Sequence, residues 1–182
     1  ERRRDRAIAL GIVPAEIDMV EMPTTEDWQA LDPDRKRYEA KRMAVYAGMV
    51  EAMDYHIGRL MDYLAAKGQL ENTIVIFTSD NGAEASGPAD PNNFINRRQM
   101  SALGYNADYD SLGLKSSYST ISPSFASAAA SPLAYYKFYA GEGGMRVPLI
   151  VSGDLMPRQG VITDAFSFVT DITPTILAFA GV

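Results

Sequence analysis

Asp80 and Asn81 close the run Thr73-Ile74-Val75-Ile76-Phe77-Thr78-Ser79, and Gly82 follows them. A carboxylate and an amide side by side offer two hard oxygen donors, the kind that calcium or magnesium prefers. The run before them is rich in β-branched and aromatic residues, which predicts a buried strand over 73–79. In open α/β sheets, ligands gather beyond the carboxyl ends of the strands. Gly82 frees the backbone to turn there. Asp-Asn-Gly is also an ordinary turn sequence, and on these ten residues alone the turn is the stronger reading. A second candidate follows at Lys137, a lone cation among Tyr135, Tyr136, Phe138 and Tyr139. It precedes Glu142-Gly143-Gly144-Met145-Arg146, where paired glycines imply close backbone approach or positive φ.

The elements that would position these residues can be read from the pattern. Pro33 or Asp34 opens a helical pattern running to Lys67, stopped by Gly68. Met43, Tyr46, Val50, Met53, Ile57, Leu60 and Leu64 share one face of it and read as core packing. The charged residues from Asp34 to Arg42 suit an exposed first half. His56, the sole histidine, lies mid-helix and reads as a surface residue or one that backs a ligand, rather than as a ligand or general base. Before the helix, residues 12–34 read as a connection punctuated by Pro14, Pro23 and Pro33, with Trp28 as the anchor pinning it to the body. The Arg-rich start is a helical segment to Gly11, and its charges read as a solvated face.

Helix, Gly68, then the strand 73–79 is half of a βαβ repeat. Beyond Gly82 the text reads as a long loop to Ser124, including Gly87-Pro88 and Asp90-Pro91-Asn92-Asn93. Loops of that length tend to be active-site walls or disordered segments. A short alanine-rich helix is expected near residues 124–130, and a second strand at 149–151. Residues 163–169 would extend or cap the sheet. A last helix would start at Thr173-Pro174, with threonine as cap.

Composition narrows the classes. The 182 residues are 47% hydrophobic and 22% charged, as expected of a soluble globular protein. A net charge of −6 argues against a nucleic-acid partner. No apolar run approaches the ~20 residues that span a bilayer, so no membrane role is expected. Cysteine is absent, which rules out disulfides, thiolate metal sites and a cysteine nucleophile within these residues. The chain opens on Glu1-Arg2-Arg3-Arg4 without an initiator Met and stops on Ala180-Gly181-Val182, from which a fragment is expected.

Taken together and in this order, the motifs resemble the type I, formylglycine-dependent sulfatases of the alkaline phosphatase superfamily. Met43-Ala44-Val45-Tyr46-Ala47-Gly48-Met49-Val50-Glu51-Ala52-Met53-Asp54, then Ile57-Gly58-Arg59, looks like the long helix before the metal-binding strand of bacterial arylsulfatases. Thr78-Ser79-Asp80-Asn81-Gly82 resembles the family's second metal motif, and Lys137 with Glu142-Gly143-Gly144-Met145-Arg146-Val147-Pro148 its lysine and Gly-Gly-x-Arg signature. Asp171-Ile172-Thr173-Pro174-Thr175 looks like the opening of a late helix. Residues 2–14 and 28–31 also resemble the family, so the likeness covers most of the chain, weakest over 85–124.

The resemblance implies an α/β fold: part of a mixed, largely parallel sheet with flanking helices, the chain being the C-terminal, incomplete part of a sulfatase catalytic domain. It implies hydrolysis of a sulfate ester, with calcium, or magnesium in some members, and a formylglycine nucleophile made from a Cys/Ser-x-Pro/Ala-x-Arg segment. By the same resemblance Asp80 and Asn81 are metal ligands, and Asp80 also orients or deprotonates the nucleophile. Lys137 contacts the sulfate and stabilises the departing oxygen, while Glu142 and Arg146 lock the turn. The departures are as informative. No formylglycine segment, first aspartate pair or active-site histidines have a counterpart in these residues, since His56 falls in the wrong segment. Calcium takes about six to eight oxygens, and Asp80 with Asn81 supplies only part. The expectation is that this chain alone neither turns over a sulfate ester nor binds calcium tightly, and that a longer parent does both.

The rival within the superfamily is a phosphodiesterase or phosphonate monoester hydrolase. Asn81, an oxygen donor where many such relatives place histidine, favours a hard cation and sulfate. The rival from another class is a non-catalytic binding or structural module. The expected partner is a small sulfate ester, with self-association of the chain through apolar surface left uncovered. The bacterial style of the motifs leaves the compartment open between periplasm and cytoplasm.

Overall fold

Asp32 caps the helix on which most of the fold hangs: its Oδ1 accepts the Arg35 N–H at 2.9 Å, and Pro33 takes the first helical position. The computed structural model describes residues 2–16, 21–85, 94–157, 159–163 and 165–182. Helix α1 is Arg2–Ala9, and α2 runs Pro33–Ala66, 34 residues, or about 50 Å at the usual rise. Gly68, at φ +63°, ends α2, its N–H bonded to the Ala65 carbonyl and that of Gln69 to Leu64. The expected bounds are met within a residue.

Two compact units divide the chain, Glu1–Ala15 with Pro157–Val182, and Glu16–Met156. In the first, α1 closes at Gly11, and α6, Ile172–Ala180, closes at Gly181, both glycines left-handed. The late helix starts one residue before the expected Thr173 cap, with Asp171 in the cap position. Its carboxylate instead accepts the Phe168 N–H at 2.8 Å, tying down the turn ahead of it. Residues 163–169 form no strand among the described residues.

In the second unit, strand β1 (Val75–Thr78) pairs with β2 (Leu149–Ser152). The pairing is antiparallel, Val75 opposite Ser152 and Thr78 opposite Leu149, so the largely parallel order expected of the sheet is not found among the described residues. The cause lies at the strand ends. The chain leaves β1 at Thr78 and, just before β2, is fastened back to the same place by the Gly82 N–H to Gly144 carbonyl bond at 2.9 Å. Thr78 Oγ1 adds a bond to the Pro148 carbonyl at 3.0 Å. The second strand therefore enters where the first exits, and must run backwards.

The expected loop after Gly82 contains more structure than its composition suggests. It holds α3 (Phe94–Ala102) and a 3-10 turn at Tyr109–Ser111; α4 (Pro123–Ala130) and a one-turn α5 (Glu142–Met145) follow it. The Gly87-Pro88 and Asp90-Pro91-Asn92-Asn93 turns lie outside the described residues. The alanine-rich helix is where the sequence places it, capped by Ser122, whose hydroxyl faces the Phe125 N–H.

Met22, Ile121, Ala126 and Tyr136 form the core of this unit, with Met43, Ala83, Ala85, Phe125 and Ala129 packed against it. Trp28 does pin its connection: its ring meets Phe125 edge-on at 5.8 Å. Nearby, Glu26 N–H donates to Ser124 Oγ and Tyr136 donates to Thr24 Oγ1 at 2.7 Å.

Two expectations about α2 are overturned. Its first half is not simply exposed: Glu39 and Arg42 are 1% and 3% exposed. Arg42 pairs with Glu39 at 3.0 Å and donates to the Thr120 carbonyl at 2.5 Å and to Thr120 Oγ1 at 3.1 Å. Arg35 reaches the same carboxylate at 3.0 Å. Tyr38 and Lys41 add bonds to the carbonyls of Ala107 and Tyr109. The half that reads as a solvated face is the one that grips residues 107–120. The apolar stripe fares the other way. Met43 packs on the core, yet Tyr46, Val50, Met53 and Leu60 are exposed.

Candidate functional site

Asp80 stands two residues beyond the end of β1 with its side chain exposed. Ser79 Oγ donates to the Asn81 carbonyl at 2.8 Å, and Asn81 Nδ2 donates to the Gly82 carbonyl at 2.9 Å. The second bond engages the amide nitrogen, and Oδ1 is the amide atom with the chemistry to meet a cation. Both residues thus present oxygen from one short loop, and hard oxygen donors suit calcium or magnesium. No group of three His, Cys, Asp or Glu able to hold a metal occurs among the described residues. The donor chemistry fits a cation, of whose shell two such residues would cover only a part.

What brings Lys137 to this loop is a crossing of glycines. A Cβ on Gly82 would drive into the Gly143 carbonyl; one on Gly143 would meet the Tyr135 carbonyl; one on Gly144 would meet those of Tyr139 and Tyr136. None of the three has a positive φ. Their glycine identity therefore serves close approach, one of the two explanations the sequence allows. Around the crossing, Gly143 N–H donates to the Ala134 carbonyl at 2.7 Å, and Lys137 N–H to the Ala83 carbonyl at 3.0 Å. The Asp80–Glu84 loop, the Lys137 segment and α5 are thereby one hydrogen-bonded body.

Lys137 Nζ lies 2.7 Å from Glu84 Oε2, each side chain about one-third exposed. The Glu84 carboxylate, by its hydrogen bond and then its charge, holds the lysine above its usual range; burial opposes this, and the charges of Asp80 and Tyr118 add to the rise. Lys137 is a fixed cation at neutral pH. Its Nζ also lies 5.1 Å from the Phe138 ring centroid. Tyr135 and Phe138, on either side of it, have φ of +71° and +78°. Left-handed aromatic residues are costly and persist only where the surroundings over-determine them.

The other sequence candidates fall as follows. Glu142 and Arg146 face each other across α5 at 3.7 Å, both exposed, while the Arg146 N–H bonds the Glu142 carbonyl at 2.7 Å. An exposed pair of that length stabilises little, so the backbone bond does most of the locking. His56 is exposed on α2, 3.1 Å from Arg59 and edge-on to Tyr55. Sequence reasoning missed Glu84. Its only sequence signal is that it is the acid nearest after Asp80, which says nothing about a lysine more than fifty positions on.

A sulfatase family model matches residues 18–182. An uncharacterized sulfatase of Schizosaccharomyces pombe is 38% identical over 173 residues, covering 94% of this chain and 30% of the relative. An arylsulfatase of Klebsiella aerogenes is 33% identical over 182 residues, covering 100% of this chain and 38% of the relative. A multifunctional alkaline phosphatase superfamily protein of Trinickia caryophylli is 25% identical over 139 residues, 76% of this chain and 18% of that protein. The chain thus spans well under half the length of these relatives.

Proposed function

Starting from the fact that the chain belongs to the sulfatase family, an α/β family of the alkaline phosphatase superfamily, we propose that its protein hydrolyses small sulfate esters in the manner of an arylsulfatase. The observation that carries the reading is the glycine crossing, which sets a fixed ammonium beside the loop bearing Asp80 and Asn81. A sulfate ester is anionic, and negative charge grows on its transferred and leaving oxygens as the S–O bond breaks. Preorganised positive charge at those oxygens lowers the barrier more than any other single device.

In this reading Asp80 and Asn81 hold calcium, or magnesium in the same role, through their side-chain oxygens. The cation, when bound, supplies Lewis-acid charge to the sulfate oxygens. Lys137 binds the ester's bridging oxygen and stabilises the alkoxide or phenoxide as it departs, a task suited to a compact charge on a flexible stem. Asp80 also orients the nucleophile, a formylglycine that these 182 residues do not encode. The remaining cation ligands come from outside this chain. The complete sheet is mixed and largely parallel, with β1 and β2 as its antiparallel pair. The antiparallel pair and the exposed face of α2 support self-association when the 182 residues are made alone. The compartment follows the bacterial style of the motifs, periplasm or cytoplasm.

The test is a comparison of 4-nitrophenyl sulfate with bis-(4-nitrophenyl) phosphate as substrates for the full-length protein, with and without added calcium. Calcium-dependent turnover with the sulfate preferred is expected. Turnover of the diester alone would move the protein to the phosphodiesterases of the superfamily.

A further inference from the structure

Lys137 is aimed by more than its own backbone. Its side chain has four rotatable bonds and is one-third exposed, so an unheld ammonium would sample many positions. Glu84 Oε2 takes it at 2.7 Å, and the Lys137 N–H to Ala83 carbonyl bond keeps the two residues in register across the crossing. The Phe138 ring stands 5.1 Å from Nζ. The left-handed Tyr135 and Phe138 show that the lysine segment is forced into this shape by its surroundings.

From this geometry we infer that Glu84 is a positioning residue for Lys137, acting within the sulfatase reading above. An ammonium has three N–H donors. With one given to Glu84, two remain for the oxygens of a sulfate ester. The carboxylate lies in the same loop as Asp80 and Asn81, so the lysine and the cation ligands keep a common frame. A structural purpose explains the pair less well. A partly exposed ion pair adds little to stability, and it places a negative charge near the site of an anionic substrate. That charge opposes ground-state binding, and a fixed ammonium favours the transition state. Glu84 therefore trades substrate affinity for rate.

The prediction is specific. In the full-length protein, Glu84→Ala lowers kcat for an aryl sulfate by about 10- to 100-fold, the scale of a misplaced catalytic group. KM stays level or falls, and Tm stays within a few degrees. Combined with Lys137→Ala, the Glu84 substitution costs no further kcat, because its effect on turnover passes through the lysine. An unchanged kcat would overturn the inference, and so would a loss that adds in full to that of Lys137→Ala. A crystal structure of Glu84→Ala gives a readout independent of turnover: displaced or disordered Lys137 Nζ supports the role, and an unmoved Nζ refutes it. If the wild-type protein cleaves no sulfate ester, the sulfatase reading fails, and this structure still decides the positioning claim.

Discussion

Lys137→Ala in the full-length protein is expected to lower kcat for a sulfate ester by about 100- to 1000-fold, the usual cost of deleting one preorganised charge donor at an oxyanion. The fold should barely notice. The Lys137 side chain is one-third exposed and loses one partly solvated ion pair, which contributes little to stability. The bond that holds the segment is made by its main-chain N–H and survives the substitution. The effect should also depend on the leaving group. A poor leaving alcohol needs more stabilisation on departure than 4-nitrophenol does, so the deficit should widen as the alcohol becomes more basic. Arginine should not rescue the variant, since a broad planar fork does not fit the place of a compact ammonium between Glu84 and Phe138. Steady-state kinetics on two or three esters of graded basicity checks this. A uniform rise in KM at constant kcat would assign Lys137 to substrate binding alone.

Glu39→Ala should be the most damaging substitution away from the site, costing about 3–5 kcal/mol as breaking a buried ion pair does. Glu39 and Arg42 are both nearly inaccessible, and Arg35 shares the same carboxylate. Removing the acid leaves the Arg42 guanidinium buried with its charge uncompensated, while its bonds to Thr120 hold it in place. Replacing both members by apolar residues, Glu39→Leu with Arg42→Met, should cost much less than Glu39→Ala, because no orphan charge is left. Urea denaturation of the full-length variants measures both. A loss under about 1 kcal/mol for Glu39→Ala would show that water reaches the pair.

These residues also show where the sequence stops being readable. The limits of α2 follow from local chemistry, Pro33 at the start and Gly68 at the end, and they stand where expected; the Asp32 cap is added by the fold. Trp28 and the alanine-rich α4 were legible for similar reasons. The burial of Glu39 and Arg42 was not, because charges three and four apart on a helix have the same pattern whether they face water or each other. The deciding partner, Thr120, lies 78 positions away. The apolar stripe through Tyr46, Val50 and Met53 shows the complementary limit: periodicity identifies one face of a helix but not what covers it. Helix α3 escaped notice because Phe94–Ala102 carries Asn96, Arg97, Arg98 and Gln99 and only a weak apolar face.

The site was half legible in the same sense. Asp80, Asn81 and Lys137 stand out by residue type and order, and Gly143-Gly144 signals close approach. That Gly82 is the glycine approached, and that this contact forces β2 to run antiparallel to β1, requires the fold. Glu84 became visible only through its contact with Lys137.

In the proposed reading, Asp80 and Asn81 contribute two oxygens to a cation site that the full-length protein completes. Calcium titration by calorimetry on that protein, beside its Asp80→Ala variant, tests it most directly. Calcium binding by the wild type is expected, weakened at least about tenfold in the variant through loss of a charged oxygen ligand. Equal calcium affinity in the two proteins would contradict it.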